Sequence, residues 1–95
     1  MKTIYKYEIH PLATSLPISV EMLKGAIIRH ISMQGIHMYV WAEVDPAEPR
    51  KEDRLFEVYM TGDEIREDMG ISRVYLHTLL LKGGNFVVHV YERLN

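Results

Sequence analysis

There is no cysteine among the 95 residues of this chain. That excludes disulfide frameworks, thiolate zinc sites and cysteine nucleophiles together, and it fits a reducing cytosol. No apolar run approaches the roughly 18 residues that a membrane helix needs, so no membrane partner is expected. The segment Met1-Lys2-Thr3-Ile4-Tyr5-Lys6-Tyr7 enters an alternating pattern at once, with no apolar h-region or small-residue cleavage site. No signal peptide is therefore expected. An excess of positive charge is also lacking: 11 Lys and Arg stand against 13 Asp and Glu, a formal net charge of −2. Proteins that live on phosphate backbones carry a basic patch. Lys2 and Lys6 are the nearest approach to one, and nucleic acid is not an expected partner.

What remains is an ordinary globular composition, 47% hydrophobic and 25% charged, which is not that of a disordered tail. The length predicts one domain over residues 1–95 with a modest core. Period-two patterning dominates. Residues 2–9 alternate, with Ile4, Lys6 and Glu8 on one side and Tyr5, Tyr7 and Ile9 on the other, until His10-Pro11 stops the run. Residues 11–17 read as a loop and Ile18 to Met22 as a short strand. Lys24-Gly25 is a turn. Ala26 to Met33 and Ile36 to Val44 form a hairpin about Gln34-Gly35. Asp45 to Asp53, with two prolines and mixed charge, reads as an exposed loop. Arg54 to Thr61 is a strand, and Gly62 to Ser72 is a polar connection with room for one helical turn around Glu64 to Asp68. Val74 to Lys82 and Phe86 to Glu92 close the chain as a second hairpin about Gly83-Gly84. The expected fold is mostly β: six to seven antiparallel strands in a curled sheet, sandwich or partly open barrel, with at most one short helix.

With the apolar side of every strand turned to one core, the other side displays His37, Tyr39, Trp41, Tyr59, Tyr75, His77, Val87, His89 and Tyr91. A solvent-facing sheet ordinarily shows Lys, Glu, Thr and Ser. Aromatic and His side chains offer flat apolar area with a polar tip, as at protein interfaces and ligand sites. The same residues also pack well on a pleated surface for intrinsic reasons, and in a barrel covered on both faces the pattern is structural. Among interaction readings a homo-oligomer interface is favoured, because cyclic dimers are the commonest assembly. His77 and His89 share face parity if they pair across the last hairpin, and with Glu43 they form an alternative metal set. No H-x-x-x-H or H-E-x-x-H spacing supports it. No cofactor is expected. Thr61-Gly62-Asp63-Glu64 reads as a turn with a helix N-cap, and Lys82-Gly83-Gly84-Asn85 as a hairpin turn, not a phosphate loop.

Several segments together resemble a family of small proteins of unknown function from tailed bacteriophages and prophages. They are Met1 to Tyr7, Met22-Leu23-Lys24-Gly25-Ala26, Val40-Trp41-Ala42-Glu43-Val44-Asp45-Pro46, Thr61-Gly62 and Gly83 to Glu92. The resemblance spans nearly the whole chain and carries no catalytic assignment. It implies an accessory protein of the host bacterial cytoplasm that blocks a host protein or sequesters a signalling nucleotide. The expectation is a non-enzymatic binding module, a homo-oligomer, that uses His37, Tyr39, Trp41, Tyr59, His77, His89 and Tyr91. Arg29, Arg54 or Arg73 would supply phosphate-binding charge if the ligand is a nucleotide. The alternatives are a small metal-assisted hydrolase built on His77, His89 and a carboxylate, and a structural or virion-assembly component.

Overall fold

The computed structural model describes residues 1–10, 17–67 and 70–95. It contains seven strands: β1 (Thr3–Ile9), β2 (Ile18–Leu23), β3 (Ile27–Gln34), β4 (His37–Val44), β5 (Lys51–Met60), β6 (Arg73–Leu81) and β7 (Phe86–Arg93). Alternation explains most of them. In β4, Met38, Val40, Ala42 and Val44 are buried, while His37, Tyr39, Trp41 and Glu43 point the other way. A side-chain period of two cannot place both sets on one face. The described residues hold no α-helix, only one 3-10 turn over Lys82–Gly84 between β6 and β7. No helix among them is long and apolar enough to cross a membrane.

The strands form two antiparallel sheets, β1-β4-β3 and β2-β5-β7-β6. They face one another across a single core. Ile9, Ile31, Met38 and Val40 come from the three-stranded sheet, and Met22, Phe56, Val88 and Val90 from the four-stranded one. Fully burying one such side chain stabilises by roughly 1.5–3 kcal/mol. Strand β3 lies beside β6 and β1 beside β2, but no ladder joins either pair. The result is a sandwich with two open seams, not a closed barrel. Both strands at the β3–β6 seam are bulged: register shifts fall between Ile28 and His30 and between Tyr75 and His77. Bulges raise the local twist and blunt an edge against further pairing.

The connections follow from this order. Lys24 and Gly25 pass the chain from one sheet to the other. Gly35 and Ile36 make a two-residue hairpin turn, with Gly35 at φ +62°. Because β7 lies between β5 and β6, residues 61–72 must cross it, which accounts for the length of that connection. Its start is closed by Asp63, whose carboxylate accepts from the Met60 amide at 2.8 Å.

Two sequence expectations change. Strand β5 starts at Lys51, inside the expected exposed loop, because Lys51 to Asp53 pair with Leu23 to Glu21 of β2. No helical turn forms over residues 64–67, so Asp63 closes a turn without capping a helix. Asp68, and the loop expected over residues 11–16, lie outside the described residues.

Candidate functional site

The outward face of the three-stranded sheet is built from alternate residues of β1, β4 and β3. The register sets Lys6 beside Trp41 and Glu8 beside Tyr39 on one flank, and His30 beside Trp41 and Ser32 beside Tyr39 on the other. Rings run down the middle: His37 to Tyr39 at 6.2 Å, Tyr39 to Trp41 at 6.0 Å and Trp41 to His30 at 5.8 Å between centroids. The charges around them are matched. Lys6 lies 4.5 Å over the Tyr39 ring and donates to Gln34 at 3.0 Å. His37 Nδ1 donates to Glu8 at 2.8 Å, and Arg29, the extra residue of the β3 bulge, pairs with Glu43 at 3.2 Å. Tyr39 and Trp41 are half-buried, and Ile4 and Ile27 are exposed at the rim.

The four-stranded sheet places a different group on the opposite side of the molecule. Tyr59, Tyr91 and Tyr75 cross β5, β7 and β6 with centroid separations of 5.7 and 5.5 Å, each pair edge to face. His89 shares hydrogen bonds through both ring nitrogens, with Thr61 at 2.9 Å and Thr78 at 3.0 Å. Glu57 and Tyr59 point away from the core yet are only 4% and 7% exposed. They sit with Arg66 and Ile71 of the 61–72 connection around a recess of about 180 Å³. Arg73 Nε donates to Glu57, and its Nη1 donates to the carbonyl of Arg66 at 2.7 Å. Burial, helped by the Glu57 charge, pushes the Tyr59 phenol above its ordinary value.

The single aromatic face expected from the sequence is thus two faces. His37, Tyr39 and Trp41 lie on one; Tyr59, His89 and Tyr91 lie on the other. His77 belongs to neither. The bulge at Leu76 shifts it opposite Val90, while Thr78 falls opposite His89, so His77 and His89 have opposite parity. His77 instead meets His30 at the seam, ring to ring at 5.2 Å. The alternative metal set is dispersed accordingly: Glu43 is on one outer face, His89 on the other and His77 at the seam. No group of three or more His, Asp or Glu side chains among the described residues is arranged to hold a metal ion.

The arginines also separate. Arg29 is on the outer face of the three-stranded sheet and Arg73 on that of the four-stranded sheet. Arg54 points inward at the end of the core. It donates to Glu92 through Nε and Nη2, and through Nη1 to the carbonyl of Ala26 at 2.7 Å. Those hydrogen bonds raise its pKa further above the ordinary guanidinium value, against the opposing effect of burial. Arg54 therefore links the two sheets and is committed to structure. Sequence reasoning missed Glu57 and Arg93 as members of the Arg73 group. Arg93 lay one residue beyond the expected end of the last strand, and Glu57 sat on the outward parity of β5.

A family model covers residues 1–95. The chain belongs to DUF7352, a domain of unknown function. No curated protein and no solved structure matches it. The two outer faces are therefore features of a DUF7352 domain that must be read from their own chemistry.

Proposed function

We propose that this DUF7352 chain is a non-enzymatic binding module that docks a protein on the outer face of its three-stranded sheet. The observation that carries the reading is the half-buried Tyr39–Trp41 ladder flanked by equal numbers of cationic and anionic side chains, Lys6 and Arg29 with Glu8 and Glu43. Tyr, Trp and Arg dominate the energetic centres of protein interfaces. Arg29 and Glu43 would enter such an interface already paired, which avoids the large cost of an isolated buried ion. The face sets Lys6 and Arg29 against Glu8 and Glu43, so a second copy meets it without net repulsion. A two-fold homodimer is the simplest assembly of that kind. The resemblance to small proteins of tailed phages narrows the reading to an accessory protein of the host cytoplasm. There a host defence protein competes with the second copy for the same surface.

Sedimentation velocity and affinity capture from bacterial lysate, on the wild type and on Trp41→Lys, test this. The wild type is expected to self-associate at micromolar concentration and to retain a host protein. The variant, with an unchanged far-UV spectrum, is expected to do neither. A monomeric wild type that retains the same proteins as the variant sinks the reading.

A further inference from the structure

The recess on the four-stranded sheet has a chemistry of its own, independent of the docking face. Arg73 and Arg93 stand directly opposite one another across β6 and β7. Like charges in that relation destabilise a sheet pair. One carboxylate serves both guanidinium groups: Glu57 takes the Nε hydrogen bond of Arg73, and its other oxygen lies 4.0 Å from Arg93 Nη1. Arg93 Nε is engaged by the carbonyl of Asn95 at 3.1 Å. No hydrogen bond from the described residues engages either Nη atom of Arg93. The recess of about 180 Å³ is lined by three arginines, Arg66, Arg73 and Arg93, against Glu57 and Glu64.

We infer that this recess binds a small phosphomonoester, its dianionic phosphate held between Arg73 and Arg93 and its organic group lying along Tyr91 and Tyr75. Guanidinium forks match phosphate oxygens in pairs. A phosphate between the two guanidinium groups supplies the negative charge that Glu57 alone lacks against them. Glu57 acts as a positioning residue, since it fixes the Arg73 fork from beneath. The Tyr91–Tyr75 pair occupies the row next to the arginines, where Tyr75 is 52% exposed and open to a flat ligand.

The test uses the full chain with inorganic phosphate, AMP and adenosine, each against sodium chloride of equal ionic strength. Thermal unfolding and titration calorimetry provide the readouts. At about ten times its Kd a ligand makes the folded state roughly tenfold more favoured, which raises Tm by about 6–11 °C in a domain of this size. Phosphate is expected to stabilise, AMP to bind more tightly than phosphate, and adenosine to do little. Arg93→Gln is expected to abolish the phosphate effect and Arg93→Lys to weaken it. Should the Gln variant unfold too early to melt cleanly, the Arg93 Nε–Hε NMR signal of the wild type supplies a second readout, shifting on phosphate addition. The inference is overturned if phosphate has no effect or if Arg93→Gln responds like the wild type. It is equally overturned if adenosine matches AMP.

Discussion

Tyr59 points away from the core and is nevertheless buried, in a recess it shares with Glu64, Arg66 and Ile71. Its phenol is held protonated above the ordinary range by that burial first and by the neighbouring Glu57 charge second. The sign of the consequence is fixed. Below about pH 10 the phenol is neutral in both folded and unfolded chains, and its titration costs nothing. Above that, the unfolded chain ionises first, so stability falls as pH rises through the folded value. Tyr59→Phe retains the ring against Tyr91 and removes the ionisable group. The urea midpoint of the variant is expected to fall less steeply than that of the wild type between about pH 9.5 and 11.5. At neutral pH the variant is expected to lose about 1 kcal/mol with the hydroxyl's interaction with Glu57 and Arg73. Parallel slopes in the alkaline range would show that Tyr59 does not carry this dependence.

Among the elements, the Gly35–Ile36 turn sets the register of β3 against β4, and through it the whole outer face of the three-stranded sheet. Gly35 has φ +62°, and a Cβ built there meets nothing within 4 Å. The cost of a substitution is therefore conformational, not steric against neighbours. Gly35→Ala is expected to destabilise by roughly 1–2 kcal/mol, and Gly35→Asn by less, since Asn tolerates that region. Urea unfolding of the two variants checks the order; equal losses would point to another cause. Elements of this kind were legible in the sequence. Both hairpins, the alternation of β4 and β7 and the mostly-β class follow from period-two patterning with glycine at the turns, whereas the choice of a sandwich over a curled sheet or barrel did not. Lys51 to Asp53 were not legible as strand, because three charged residues carry no apolar period and their pairing with β2 is a tertiary fact. The bulge at Leu76 was equally hidden. An inserted residue changes the parity of everything beyond it, and His77 left the His89 face for that reason alone. The recess around Glu57 was invisible for a third reason: the covering segment, residues 61–72, is polar and non-periodic.

At the scale of the whole molecule, two sheets share a core but no hydrogen-bonded seam. Apart from packing, their cohesion at one end rests on Arg54. From β5 it reaches Glu92 on β7 and the Ala26 carbonyl at the entry to β3. Glu52 adds a contact at 3.6 Å, and the Gly25 amide donates to the same carboxylate at 3.4 Å. The Glu92 side chain is only 8% exposed. Arg54→Ala leaves that carboxylate without its partner, which in buried pairs costs about 3–5 kcal/mol. A domain of this size is stable by roughly 5–10 kcal/mol, so the loss is expected to approach half of the total. Arg54→Met combined with Glu92→Leu removes both charges at similar volume and is expected to recover most of it. Trp41 resides in the three-stranded sheet, so its fluorescence follows that sheet, whereas far-UV circular dichroism follows both. Because the core is continuous across the layers, the two signals are expected to change together in the wild type and, at lower denaturant, in Arg54→Ala. If the Trp41 transition separated from the dichroism transition in the single and the double variant alike, since both lack the arginine, the sheets would be folding units joined mainly by Arg54. The shared apolar core would then be the weaker bond between them.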